Sequence, residues 1–166
     1  MLVAAAAVTG VHLLRGQSNQ PSTTSAPARA PSTEAIAPPT ASLQLSRYIT
    51  DQSGVLTAPG RAAVERAINN LYAERNVRLW VVYVNNFSGL TPLRWAEQTI
   101  RANGLTDTDA LLAIATDERH FSFRVPAAAT NGTPIDVEVI RRSHVEPAVR
   151  RGEWARAAVA AAEGLA

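Results

Sequence analysis

Four aspartates stand where loops meet regular elements, and they carry most of the chemistry this chain can offer. Asp51 lies in Thr50-Asp51-Gln52-Ser53-Gly54; Asp107 and Asp109 flank Thr108 ahead of the apolar run Ala110 to Ala115, and Asp117 follows that run. Carboxylates drawn from several loops hold Ca2+ or Mg2+ through oxygen. A metal so held polarises a phosphoryl oxygen and activates water. The same residues also have a plain structural use, an Asx-turn at Asp51 and a hairpin turn at Asp117. On the residues alone, the structural use prevails.

Other chemistries are excluded more firmly. The chain has no cysteine, which removes disulfides, thiol catalysis, thiolate metal sites and a lipoprotein anchor. His12, His120 and His144 lie in separate segments without a second ligand at zinc spacing. No Gly-x-Ser-x-Gly elbow is present, Ser88 before Gly89 is a lone serine, and no glycine loop could cradle phosphate. Asp107-Thr108-Asp109-Ala110 is superficially similar to an aspartyl-phosphatase motif, but it begins a strand where that motif must end one. All 16 basic residues are arginine against 14 acidic ones, a net charge of +2. The two signs are interleaved and no basic block exceeds Arg141-Arg142 or Arg150-Arg151, so a nucleic-acid surface is not expected.

Three segments must position these residues. Leu2 to Leu14 is an apolar run of 13 residues, short of the ~20 a membrane-spanning helix needs. It suits the apolar heart of a signal peptide. The basic residues that should precede it are missing, and Arg15 follows instead, so the natural start is expected upstream. Residues 1–16 are therefore read as a signal or anchor segment. Residues 17–44 hold five of the ten prolines among Ser, Thr and Ala, a composition that cannot offset its own ordering entropy. They read as an extended linker, and an uncleaved anchor is favoured over free secretion.

Residues 45–166 read as one folded domain. Thr57 is an N-cap with Pro59 in the first turn, and Val64, Ile68, Leu71 and Tyr72 share one helical face. Arg75-Asn76 closes that helix. Val77 to Val84 is apolar at nearly every position, as in a central strand covered on both faces. Thr91-Pro92 opens a second helix that Asn103-Gly104 ends. Ala110 to Ala115 is a second covered strand, and Phe121 to Val125 an antiparallel edge strand after a tight turn. Asn131-Gly132 is a turn, Thr133-Pro134 caps a helical piece, and Glu153 to Leu165 is a final Ala-rich helix. Ile135 to Ile140 fits either helix or strand. The order implies an α/β fold, a three-layer α/β/α sandwich with a small sheet.

This order of segments resembles the TPM domain family. Tyr48-Ile49-Thr50-Asp51-Gln52-Ser53-Gly54-Val55-Leu56 is similar to its opening motif, and Leu79-Trp80-Val81-Val82-Tyr83-Val84 to its first core strand. Asp109 to Ala115 with Asp117 and Arg119 matches the second strand and its turn. Val145-Glu146-Pro147-Ala148-Val149 and Gly152-Glu153-Trp154 resemble the closing motif. The match runs from Tyr48 to Leu165, and the Trp-Val-Val-Tyr-Val form has an actinobacterial look. The family takes its name from a plant thylakoid-lumen protein, a cyanobacterial photosystem II repair protein and a nematode receptor modulator. The resemblance implies a mixed sheet between helices, an exported domain beside a membrane, Ca2+ or Mg2+ on loop aspartates in some members, and acid-phosphatase activity in others.

Two departures bear on the site. Thr108-Asp109-Ala110 lacks the glycine of the family's Asp-Asn-Gly-type turn, and Pro126 to Gly132 stands where members carry a Gly-Tyr-Gly-type segment. The resemblance carries over Asp51 first, then Asp109 and Asp117, as ligands of a weakly held Ca2+ or Mg2+. Asp109 and Asp117 are eight positions apart, which a straight strand makes roughly 26 Å. Asp51 can therefore join only one of them. Asp117 is expected, because open α/β sheets take ligands beyond the carboxyl ends of their strands. Asn85 and Asn86 leave the preceding strand at that end. The expected function is an interaction, repair or assembly module tethered at the outer face of the cell membrane, binding envelope or membrane proteins. The alternative is a divalent-metal-dependent acid phosphatase.

Overall fold

The computed structural model describes residues 43–45, 47–130 and 132–166. The anchor expectation for 1–16 and most of the linker expectation for 17–44 lie outside the described residues, as do His12 and Asn131. Leu43, at the end of the stretch read as linker, is half-buried against the domain. The Asn103 amide donates to the Leu43 carbonyl at 2.8 Å and its oxygen accepts from the Leu45 N–H at 2.7 Å.

Four strands form one sheet in sequential order: β1 (Ile49–Asp51), β2 (Arg78–Val84), β3 (Asp109–Ala115) and β4 (His120–Arg124). The first three run parallel and β4 returns antiparallel to β3. The register sets Asp51 beside Tyr83 and Tyr83 beside Ile114. The continuous apolar runs follow from cover on both faces. Leu79, Val81 and Tyr83 of β2 and Ala110, Leu112 and Ile114 of β3 face one core; Val82 and Val84 with Leu111, Ala113 and Ala115 face the other. Alternation of side chains along each strand divides the two sets. Removing a fully buried leucine such as Leu79 or Leu112 costs about 2–5 kcal/mol by this kind of burial.

On the first face lie α1 (Ala58–Arg75) and α6 (Trp154–Leu165), and on the second α2 (Pro92–Asn103). The caps form as the sequence implies. Thr57 Oγ accepts from the Gly60 N–H at 3.2 Å and Thr91 Oγ from the Arg94 N–H at 3.3 Å. Asn76 and Gly104 close the two helices with φ of 55° and 60°. Ala157, Ala158, Ala161 and Ala162 of α6 are wholly buried, so the helix approaches the core closely.

Two regions differ from the sequence reading. β1 is a strand of its own, which Tyr48-Ile49-Thr50 alone did not reveal, because three residues give no periodicity to read. The second region follows β4. A short α3 (Ala127–Thr130) precedes α4 (Val137–Val139), a π-helical stretch (Ile140–Val145) and α5 (Glu146–Arg151). Thr133-Pro134 does not cap this piece. Asp136 does, accepting from the Glu138 and Val139 N–H groups at 3.0 and 3.1 Å. Thr133 Oγ instead accepts from Arg75 at 2.9 Å. The ambiguous Ile135 to Ile140 is thus partly helical, with Ile140 wedged against Gly164 of α6.

Candidate functional site

Three parallel strands deliver three loops to one end of the sheet. The main chain ties them together: Gln52 N–H donates to Tyr83 O at 2.9 Å, Thr116 N–H to Val84 O at 2.8 Å, and Asp117 N–H to Asn85 O at 3.0 Å. Thr116 Oγ donates to Ser53 Oγ at 3.2 Å, which links the first and third loops over the end of β2. The amino ends of α1 and α2 follow β1 and β2 and so arise at this end too. Ser88 and Arg119 hold positive φ of 53° and 52°, a conformation costly without glycine. At Ser88 the Asn86 carboxamide helps fix it, accepting from the Ser88 N–H at 2.9 Å.

The sequence-expected aspartates separate into different jobs. Asp51 ends β1, and its two carboxylate oxygens accept from the Val55 N–H at 3.2 Å and the Leu56 N–H at 3.0 Å. Its charge thereby shapes the loop that turns through Gly54, φ 65°, into α1. Asp109 lies at the opposite end of the sheet and is only 7% exposed. Its carboxylate accepts from Thr106 N–H at 2.8 Å, Thr106 Oγ at 2.7 Å and the Trp80 indole at 3.3 Å. Asp117 is exposed just past β3, at the same end as Asp51, with β2 between them. From the register, their α-carbons stand roughly 14 Å apart, two strand spacings across and three residues along. Among the described residues, no three His, Asp or Glu side chains converge as ligands for a metal ion.

Beneath this end Tyr83 is fully buried and its hydroxyl donates to the Trp154 carbonyl at 2.8 Å. Burial raises its pKa above the usual tyrosine value, the Asp51 carboxylate raises it further, and Arg61 opposes both. Tyr83 is therefore a neutral strut between the sheet and the start of α6, and not an acid or base near neutral pH.

A groove of about 490 Å3 opens beside the turn before β4, lined by Arg119, His120, Phe121, Arg141, Glu146 and Arg150, among others. Its cations are largely engaged. The Arg119 guanidinium donates to the Arg150 carbonyl, Arg150 pairs with Glu146, and Arg141 Nε donates to Glu138 at 2.8 Å. His120 Nδ1 stands 3.9 Å from Glu118. No local motif marks this groove, because residues over 20 positions apart in the sequence build it.

A family model for the TPM domain matches residues 49–166. The chain belongs to the TPM domain family. It is 51% identical over 122 residues to the UPF0603 proteins MT2410 and Rv2345 from two strains of Mycobacterium tuberculosis. That stretch covers 74% of this chain but 18% of each relative, so the chain spans about a fifth of their length. Two solution structures share the fold. The N-terminal domain of the cg2496 protein from Corynebacterium glutamicum has a TM-score of 0.62 and 23% identity, covering 72% of this chain and 78% of that one. The N-terminal domain of a P. gingivalis protein has a TM-score of 0.62 and 17% identity, covering 72% and 79%. In this TPM domain Tyr83 connects the opening and closing motifs, standing beside Asp51 in the sheet and donating its hydroxyl to the Trp154 carbonyl.

Proposed function

We propose that this TPM domain is an interaction module held at the outer face of the cell membrane, where it binds envelope or membrane proteins. The observation that supports it most is the employment of the aspartates. Asp51 and Asp109, two of the three carboxylates that the resemblance carries over, both spend their oxygens on the chain's own N–H and O–H donors. The apolar run Leu2 to Leu14 and the proline-rich segment after it supply the tether and the spacer in this reading. A reporter that is active only after export, fused behind Ala166, tests the location. Activity confined to the cytoplasm would contradict it, and recovery from the medium would mean cleavage.

A second reading, metal-dependent hydrolysis of phosphomonoesters, has one observation in its favour. Asp51 and Asp117 emerge at the same end of the sheet, and Asn85 and Asn86 follow β2, the strand between theirs. In that reading the aspartates hold Ca2+ or Mg2+, and the metal supplies a Lewis acid to the phosphoryl group. The interaction reading expects no hydrolysis of a chromogenic phosphomonoester above the blank with either cation. Metal-dependent turnover that disappears in Asp117→Asn would establish the second reading instead.

A further inference from the structure

We propose that the free edge of β1 is a homodimer surface, on which a second copy of this chain adds its own β1 antiparallel about a two-fold axis through Thr50. The proposal goes beyond the function proposed above: it shares Asp51 with the loop end of the sheet but does not rest on what that end binds.

The edge is a matter of main-chain geometry. β1 ends the sheet and has a neighbour only in β2. Tyr48 O accepts from Val81 N–H at 2.7 Å, and Gln52 N–H donates to Tyr83 O at 2.9 Å. Alternate residues of a parallel strand bond the same neighbour, so Tyr48, Thr50 and Gln52 face β2. Ile49 and Asp51 must then turn their N–H and C=O groups outward, with no strand to receive them among the described residues. Such a row of unpaired groups is a template for another strand. Tyr48 stands at this edge 42% exposed, its ring 4.7 Å from that of Trp80, and an added strand would cover it.

The surroundings suit a second copy. A groove of about 760 Å3 runs between the edge and α1, lined by Arg47, Asp51, Arg61, Glu65 and Ile68, among others. Its charged residues divide equally, Arg47 and Arg61 against Asp51 and Glu65, so the surface meets itself without net repulsion. None of the four joins an ion pair among the described residues. About an axis through Thr50, Ile49 faces Asp51 of the second copy, and Asp51 faces its Ile49. Both are hydrogen-bonded pairs, using the outward groups of the strand in full. Thr50 meets Thr50, a favourable cross-strand pair where any charged residue would meet its own kind. Arg47 lies diagonal to Asp51 of the second copy, within reach of a long side chain.

The chain has no cysteine, so Thr50→Cys introduces a sole thiol at the axis. Facing residues at a position without hydrogen bonds have α-carbons ~4.5 Å apart, within the span of a disulfide. Under mild oxidation the full chain carrying Thr50→Cys should convert to a covalent dimer, while Ser88→Cys and Ala73→Cys, at exposed positions elsewhere, stay monomeric. Cross-linking of Thr50→Cys no faster than the controls would overturn the proposal. The unmutated chain gives a second reading. Exchange of the Ile49 and Asp51 amide protons should slow as protein concentration rises. Rates that stay fast and independent of concentration would overturn the dimer and leave the edge to an extended segment of another protein.

Discussion

Asp51 accepts two main-chain hydrogen bonds and Asp117 accepts none among the described residues, a difference with a measurable energetic consequence. Asp51→Asn replaces one acceptor oxygen by a donor, leaving the Val55 or Leu56 N–H facing another N–H. That should cost about 1–3 kcal/mol. Asp117→Asn changes an exposed side chain and should stay within about 0.5 kcal/mol of the parent. Urea denaturation of both variants checks the contrast, and equal losses would mean that Asp117 has a structural partner too. At this scale the sequence was legible wherever the partner is local. Thr57 and Thr91 cap the donors three residues on, as their positions before Pro59 and Pro92 implied. The sequence marks Asp109 as a candidate metal ligand, whereas its buried latch to Trp80 crosses 29 positions, which no local pattern reports. Local pattern marks Tyr83 only as a strand residue. Its bond to Trp154 joins residues 71 positions apart.

Among the elements, the stretch from α3 to α5 departs furthest from its sequence reading, whereas α6 forms as expected, and this part of the chain offers two tests. The Gly164 position lies within α6, where alanine would ordinarily add up to about 1 kcal/mol of helix stability. A Cβ there would stand 2.8 Å from both Cγ atoms of Ile140, too close for carbon. Gly164→Ala should therefore destabilise the domain by about 1–3 kcal/mol, as overpacking does, and Ile140→Ala, which removes both Cγ atoms, should cost less in that background than in the parent. A stabilised Gly164→Ala chain would contradict the packing of the π-helical stretch on α6. This contact also shows why Ile135 to Ile140 was ambiguous: the helical choice there is made by α6 and not by the segment's own alternation. The second test is Glu138. Hydrogen bonding from Arg141 first, then Arg142, holds its carboxyl at about 2, against an ordinary 4.5. A depressed folded value means the pairing contributes fully above about pH 4.5 and is lost as pH falls toward 2. The group is exposed, so the contribution is small. Carboxyl carbon shifts should titrate near pH 2, and Arg141→Ala should move the midpoint up toward the ordinary value. A midpoint already near 4.5 in the parent would show the pairing to be absent.

For the whole molecule, the three-layer order was legible because β2 and β3 are apolar on both faces and α1 and α2 carry their own caps. Such signals agree from local pattern to layer. The three-residue β1 was hidden for the opposite reason: it is a strand only because β2 offers it a partner. The sheet so formed sends Asp51 and Asp117 to one end and Asp109 to the other, which is what turns a list of aspartates into a question about one site. The two proposed readings part at Asp51, whose carboxylate accepts from the loop into α1 in one and would also hold a metal ion in the other. Titration of the 15N-labelled chain with Ca2+, followed through its amide resonances, tests this most directly. Val55 and Leu56 should keep slowly exchanging, hydrogen-bonded amides that do not move, with at most weak, fast-exchange shifts at Asn85, Asn86 and Asp117. Saturation at one equivalent, with Val55, Leu56 and Asp117 shifting together, would contradict the interaction reading.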